Sequence, residues 1–88
     1  AGLMAADTAL AMGRCVTLFD ASASLGRKIL IAGKGGLNLT HSEDFESFVG
    51  RYRGRAPALR EWLRDFDAPA LREFVHGLGI ATMVGSSG

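Results

Sequence analysis

One cysteine in 88 residues, Cys15, leaves no partner for an internal disulfide, and a lone thiol suits a reducing, cytoplasmic setting. No apolar run approaches the roughly 20 residues that span a bilayer, which excludes a transmembrane helix. Ala1-Gly2-Leu3-Met4-Ala5-Ala6 has no basic residue ahead of its apolar stretch, so it does not read as a signal peptide. Position 1 is not methionine, and the start reads as a break inside a longer protein. Charge of one sign is also lacking: ten Lys and Arg against nine Asp and Glu give a net +1. Such a balance supplies no field to draw the chain to nucleic acid or an anionic membrane.

What is present is an ordinary globular mixture, 48% apolar and 22% charged, with 12 glycines. A domain of this length buries only about two-thirds of its unfolded surface and is marginal unless a ligand or partner helps. Leu3, Ala6, Leu10 and Ala11 recur at helical spacing up to Gly13, predicting a helix over about 2–12. Cys15-Val16-Thr17-Leu18-Phe19 reads as a short buried parallel strand ended by Asp20. From Ala21 to Thr40, Gly26, Gly33, Gly35 and Gly36 punctuate the chain. This predicts an ordered loop with one helical turn near Lys28–Ala32.

Three amphipathic helices follow, alike in apolar pattern rather than in sequence. The first carries Phe45, Phe48, Val49 and Tyr52, with Ser42 as N-cap. The second carries Leu59, Trp62, Leu63 and Phe66, with Pro57 at its start. The third carries Leu71, Phe74, Val75 and Leu78, with Asp67 as N-cap, Pro69 in the first turn and Gly77 or Gly79 past its end. Ile80–Val84 reads as a last strand, and the aromatic stripes read as core.

The first 20 residues form one unit of possible chemistry. A dinucleotide-binding βαβ needs a strand, a Gly-x-Gly-x-x-Gly turn, a helix, a second strand and an acid at its end. Gly2 fits the third glycine, with the first strand and two glycines lying before residue 1, and Asp20 fits the acid. Pyrophosphate would sit at the helix N-terminus, and the Asp20 carboxylate would accept ribose hydroxyls and repel a 2′-phosphate. Half a motif is weak by itself: Gly2 also reads as a small residue and Asp20 as a loop carboxylate.

The stretch from Gly26-Arg27-Lys28-Ile29-Leu30 through Gly33-Lys34-Gly35-Gly36 to Asn38, Thr40 and His41 is more specific. It resembles the signature loop of bacterial FAD-binding flavoproteins of the aminoacetone-oxidase type. The likeness continues through Phe66-Asp67-Ala68 and His76-Gly77-Leu78-Gly79-Ile80 to Val84-Gly85-Ser86-Ser87-Gly88. Many relatives have Arg-Cys where this chain has Gly36-Leu37, so roles resting on that pair do not transfer.

The resemblance implies an α/β fold, a partial Rossmann-type FAD/NAD(P)-binding domain lacking its first strand. Residues 1–41 would form the partial βαβ region and cofactor loop, and 42–88 a helical segment leading toward a substrate or insert domain. It implies Gly2 beside the FAD pyrophosphate, Asp20 on the adenosine ribose, and Arg27 and Lys28 near the adenosine or phosphate end. Gly33, Gly35 and Gly36 would let backbone amides approach the cofactor, with Asn38 and Thr40 close behind. The expected activity is flavin-mediated hydride or electron transfer on an unspecified small molecule, with NAD(P)H as a conceivable donor. The piece alone would be inactive, and no catalytic residue is assigned.

Plainer readings stand beside these. Arg27 and Lys28 also read as a solvated pair, and Lys34 as a solvent-facing loop lysine. Cys15 reads as inert in a buried strand. His76 reads as a helix-end residue able to cap carbonyls, and His41 follows the loop without an acid or nucleophile at useful spacing. Two histidines and one cysteine so scattered make no zinc site. Arg51, Arg53, Arg55, Arg60 and Arg64 admit an anion- or nucleic-acid-binding module, although Glu61 and Asp65 interrupt them. Residues 42–79 alone admit a helical interaction domain.

Overall fold

The computed structural model describes residues 1–88. Its elements are α1 (Gly2–Ala11), α2 (Arg27–Ala32), α3 (Phe45–Gly50), a 3-10 turn (Arg53–Arg55), α4 (Ala56–Asp65) and α5 (Ala68–Gly77). The expected α/β fold is corrected: the molecule is helical and contains no strand. Strand structure exists only in ladders, because an unpaired strand leaves its amides and carbonyls to water. Cys15–Phe19 and Ile80–Val84 have β-favouring residues but no partner. The sole backbone hydrogen bond at either stretch is Ile80 donating to Val75 at 3.3 Å, a helix-end bond. Phe19 is 93% and Met83 90% exposed, and Cys15 is exposed rather than buried.

The chain divides into two compact units, Ala1–Leu37 and Asn38–Gly88. In the first, α1 forms where expected. Gly13, at φ +74°, ends it, its amide donating to Leu10 and that of Arg14 to Ala9. Apolar residues occur on nearly every face of α1, yet only Ala6 is buried; Leu3 and Leu10 are exposed. α2 opens at Gly26, whose φ of +67° only glycine adopts readily.

The second unit carries the better-buried core, with Val49 fully buried and Val75 nearly so. α3 packs on α4. The N-cap of α3 is Asp44, not Ser42. One Asp44 carboxylate oxygen accepts from the Ser47 amide at 3.0 Å and the other from the Ser47 hydroxyl at 2.6 Å. These bonds, the hydroxyl first, hold the Asp44 carboxyl below its ordinary pKa. Phe48 and Tyr52 stack edge to face, with centroids 6.0 Å apart.

The reading that the helices are alike only in apolar pattern is corrected for α4 and α5, which share sequence as well. Both begin Ala-Pro-Ala-Leu-Arg-Glu, at 56–61 and 68–73, a repeat of six identical residues. Proline in the first turn needs no amide donor, and the next four residues are strong helix formers. Asp67 caps α5 as expected, accepting from the Ala70 amide at 2.9 Å. Arg55, in front of α4, makes no side-chain cap. The aromatic stripe is only partly core: Trp62 is 71% exposed, while Phe74, its counterpart in α5, is half-buried.

Candidate functional site

The first unit contains a cleft of about 470 Å³ lined by the start of α1 (Ala1–Met4), by Leu18–Asp20, Ser22 and Ser24, and by Leu25–Ile29. Its size falls within the range of small-ligand sites. At one side stand the first amides of α1. Intrahelical bonding begins with the Ala5 amide donating to Ala1 at 3.0 Å. The early amides and the helix dipole therefore present positive potential to the cleft.

Asp20 contributes a carboxylate. Its Oδ1 accepts from the Ser22 amide at 2.7 Å, an Asx-type turn that fixes the side chain and leaves Oδ2 free for a ligand hydroxyl. Arg27 and Lys28, in the first turn of α2, bring two cations to the same cleft. No ion pair or side-chain hydrogen bond to a protein group occupies either. An added Cβ at Gly26 would meet Leu3 at 3.8 Å, ordinary contact, so its left-handed backbone and not crowding demands glycine there.

Of the residues singled out from sequence, the cleft thus gathers Gly2, Asp20, Arg27 and Lys28. Gly33 closes α2, its amide donating to Ile29 at 2.9 Å, and a Cβ there would press on that carbonyl at 3.3 Å. Gly35 and Gly36 do not line the cleft; Gly36, at φ +103°, shapes the loop. Asn38 and Thr40 belong to the second unit. There Thr40 lines a smaller, largely apolar cavity of about 230 Å³ with Phe48, Tyr52, Phe66 and Asp67. Sequence reasoning missed Ser22, Ser24 and Phe19 as lining residues. The Asp-x-Ser spacing at Asp20–Ser22 is a turn signal that could have found the first.

The other candidates find mundane partners. His76 caps no carbonyl; its Nε2 meets the Thr82 hydroxyl at 2.7 Å, which also accepts from Arg72 Nε at 3.1 Å. Among the arginines proposed for anions, Arg51 pairs with Glu43 at 2.5 Å and Arg60 with Glu46 at 2.6 Å. Each pair raises the guanidinium pKa, and the Arg60 hydrogen bond lowers that of Glu46. Two of five cations are thereby matched, which weakens the case for a phosphate-binding face. No three His, Cys, Asp or Glu side chains cluster to hold a metal, and no helix is long and apolar enough to cross a membrane.

Comparison with known families decides what this arrangement belongs to. The model of the HI0933-like protein Rossmann domain matches residues 1–88. The chain belongs to that family. It is a family of FAD-binding oxidoreductase type. No curated protein and no solved structure matches the chain. The match is to a Rossmann domain, yet these 88 residues themselves form no sheet. The narrower aminoacetone-oxidase type implied by the glycine-rich stretch goes beyond what the family match shows.

Proposed function

We propose that the first unit holds the adenosine-diphosphate half of FAD, and that the protein is a flavoprotein oxidoreductase acting on a small molecule. The observation that carries this is the convergence of the Gly2 end of α1, the Asp20 carboxylate and the Arg27–Lys28 pair on one cleft. These groups fit the ligand's chemistry. Amides at the α1 start and the two cations suit a pyrophosphate, and a carboxylate with one free oxygen suits ribose hydroxyls. Bound FAD would supply hydride and single-electron chemistry that no side chain here can.

The work of this chain's own residues is to bind and orient. Arg27 and Lys28 neutralise phosphate charge, and the Ser22 amide keeps the Asp20 carboxylate turned for the sugar. NAD(P)H as donor, a cytoplasmic setting, the aminoacetone-oxidase type and independence from nucleic acid and membranes belong to the same reading. It is supported by the family match, the lone cysteine and the balanced charge.

Calorimetry with ADP and with 2′-phosphorylated ADP tests it. ADP should bind, more weakly as salt rises, and the 2′-phosphate should bind less well because it meets Asp20. Asp20→Ala should cost FAD about 1–3 kcal/mol, the loss of a charge-assisted hydrogen bond. Equal affinity for the two nucleotides, or for wild type and Asp20→Ala, would remove the ribose role.

A further inference from the structure

The second unit has a cavity of its own, about 230 Å³, which plays no part in the proposed cofactor cleft. Phe48 of α3 and Tyr52, one turn on, have ring centroids 6.0 Å apart and planes inclined at 72°, so they form an aromatic corner. Leu63 lies in the last turn of α4, and Phe66 and Asp67 make the junction to α5. Tyr52 and Phe66 stay 40% and 43% exposed, so the protein leaves part of their ring surface uncovered. Aromatic faces carry negative potential, which attracts cations. One charged side chain lines the cavity, and it is acidic: Asp67. Its Oδ1 accepts from the Ala70 amide at 2.9 Å, and the carboxylate enters no ion pair. The start of α5 contributes about half a positive charge, less than the full negative charge of Asp67. The cavity is therefore net negative as well as aromatic.

We propose that this cavity binds a small quaternary ammonium ion, with its methyl groups against Phe48, Tyr52 and Phe66 and its charge balanced by Asp67. Such an ion has no N–H to satisfy and spreads its charge over methyl groups, so it leaves water for apolar walls at modest cost. Compact cations match less well. A metal ion needs several strong ligands, and the lining offers one carboxylate and the hydroxyls of Thr40 and Tyr52. A primary ammonium would exchange three hydrogen bonds to water for the same few acceptors. Anions are disfavoured because no Lys, Arg or His lines the space. The room suffices: an apolar cavity of roughly 150 Å³ takes benzene, a molecule of about the bulk of tetramethylammonium. No residue lines both this cavity and the cofactor cleft, so the inference stands apart from the flavin reading.

The test is an NMR titration of the chain with tetramethylammonium, with choline, and with the uncharged alcohol in which carbon replaces the choline nitrogen. Both cations should bind saturably, shifting the ring protons of Phe48, Tyr52 and Phe66 and the Leu63 methyls. The alcohol should bind at least about tenfold more weakly. Tyr52→Leu and Phe66→Leu should each weaken choline about three- to tenfold, the worth of one ring at a partly exposed site. Asp67→Asn keeps a residue able to cap α5 while removing the charge, and should weaken choline by a like factor with little change for the alcohol. Equal binding of choline and its carbon isostere would reduce the site to a plain apolar pocket and overturn the proposal. So would the absence of a saturable shift, shifts confined to other residues, or an affinity unmoved by Asp67→Asn. The isostere comparison uses the unaltered chain, so a variant that fails to fold leaves the proposal falsifiable.

Discussion

α4 and α5 begin with the same six residues and end up in different circumstances. Asp67 stands before α5 in extended backbone, at ψ −176°, and caps it; Arg55 stands before α4 in helical backbone, at ψ −8°, and cannot. Arg60 in α4 reaches Glu46, whereas Arg72, its counterpart, donates to Thr82. Trp62 faces water and Phe74 is half-buried; Leu63 is half-buried and Val75 buried. Identical helix-forming residues thus give two helices of equal length, while the flanking residue and the packing decide how firmly each is held.

Substitutions at matched positions sharpen or break that contrast. Val75→Ala should have the largest effect, about 2–3 kcal/mol in urea melts followed by circular dichroism, because a buried side chain leaves a cavity. Leu63→Ala should cost less; equal costs would show that burial does not separate the helices. Asp67→Ala should cost about 1 kcal/mol through the lost cap. Arg55→Asp should stabilise α4 by about 0.5 kcal/mol, less than a full cap because the backbone there must first leave the helical region. Trp62→Phe should change stability by under about 0.5 kcal/mol, and Trp62 should emit like a solvent-exposed indole. A blue-shifted emission would contradict its exposure.

The smallest effect concerns pH. The Asp44 carboxyl is held low by the Ser47 hydroxyl and amide, so its contribution to α3 is complete above the ordinary carboxylate range. It is lost only as pH falls through the lowered folded value. Ser47 amide protection measured from pH 6 down to 2 checks that sign, and protection that increased on acidification would refute it.

How much of this was legible in the sequence follows from what each element needs. Helices satisfy their own backbones, so α1, α2, α4 and α5 could be read from apolar spacing, Pro57, Asp67 and Gly13. A strand depends on a neighbour, and no run of β-branched residues such as Cys15–Phe19 reveals whether one is there. The α3 cap went to Asp44 because the helix begins at Phe45 and Ser47, three residues on from Asp44, offers it two donors. Gly2, Asp20, Arg27 and Lys28, singled out from the half-motif and the family resemblance, line the cleft. Gly33, singled out likewise, does not line it, and its amide donates to Ile29 at the end of α2.

Competition in flavin-fluorescence titrations of the purified protein tests the central claim most directly. If the cleft grips the adenosine diphosphate, FAD should bind saturably, ADP should displace it, and FMN, which lacks that half, should not. Displacement by FMN but not by ADP, or no FAD binding at all, would contradict the account.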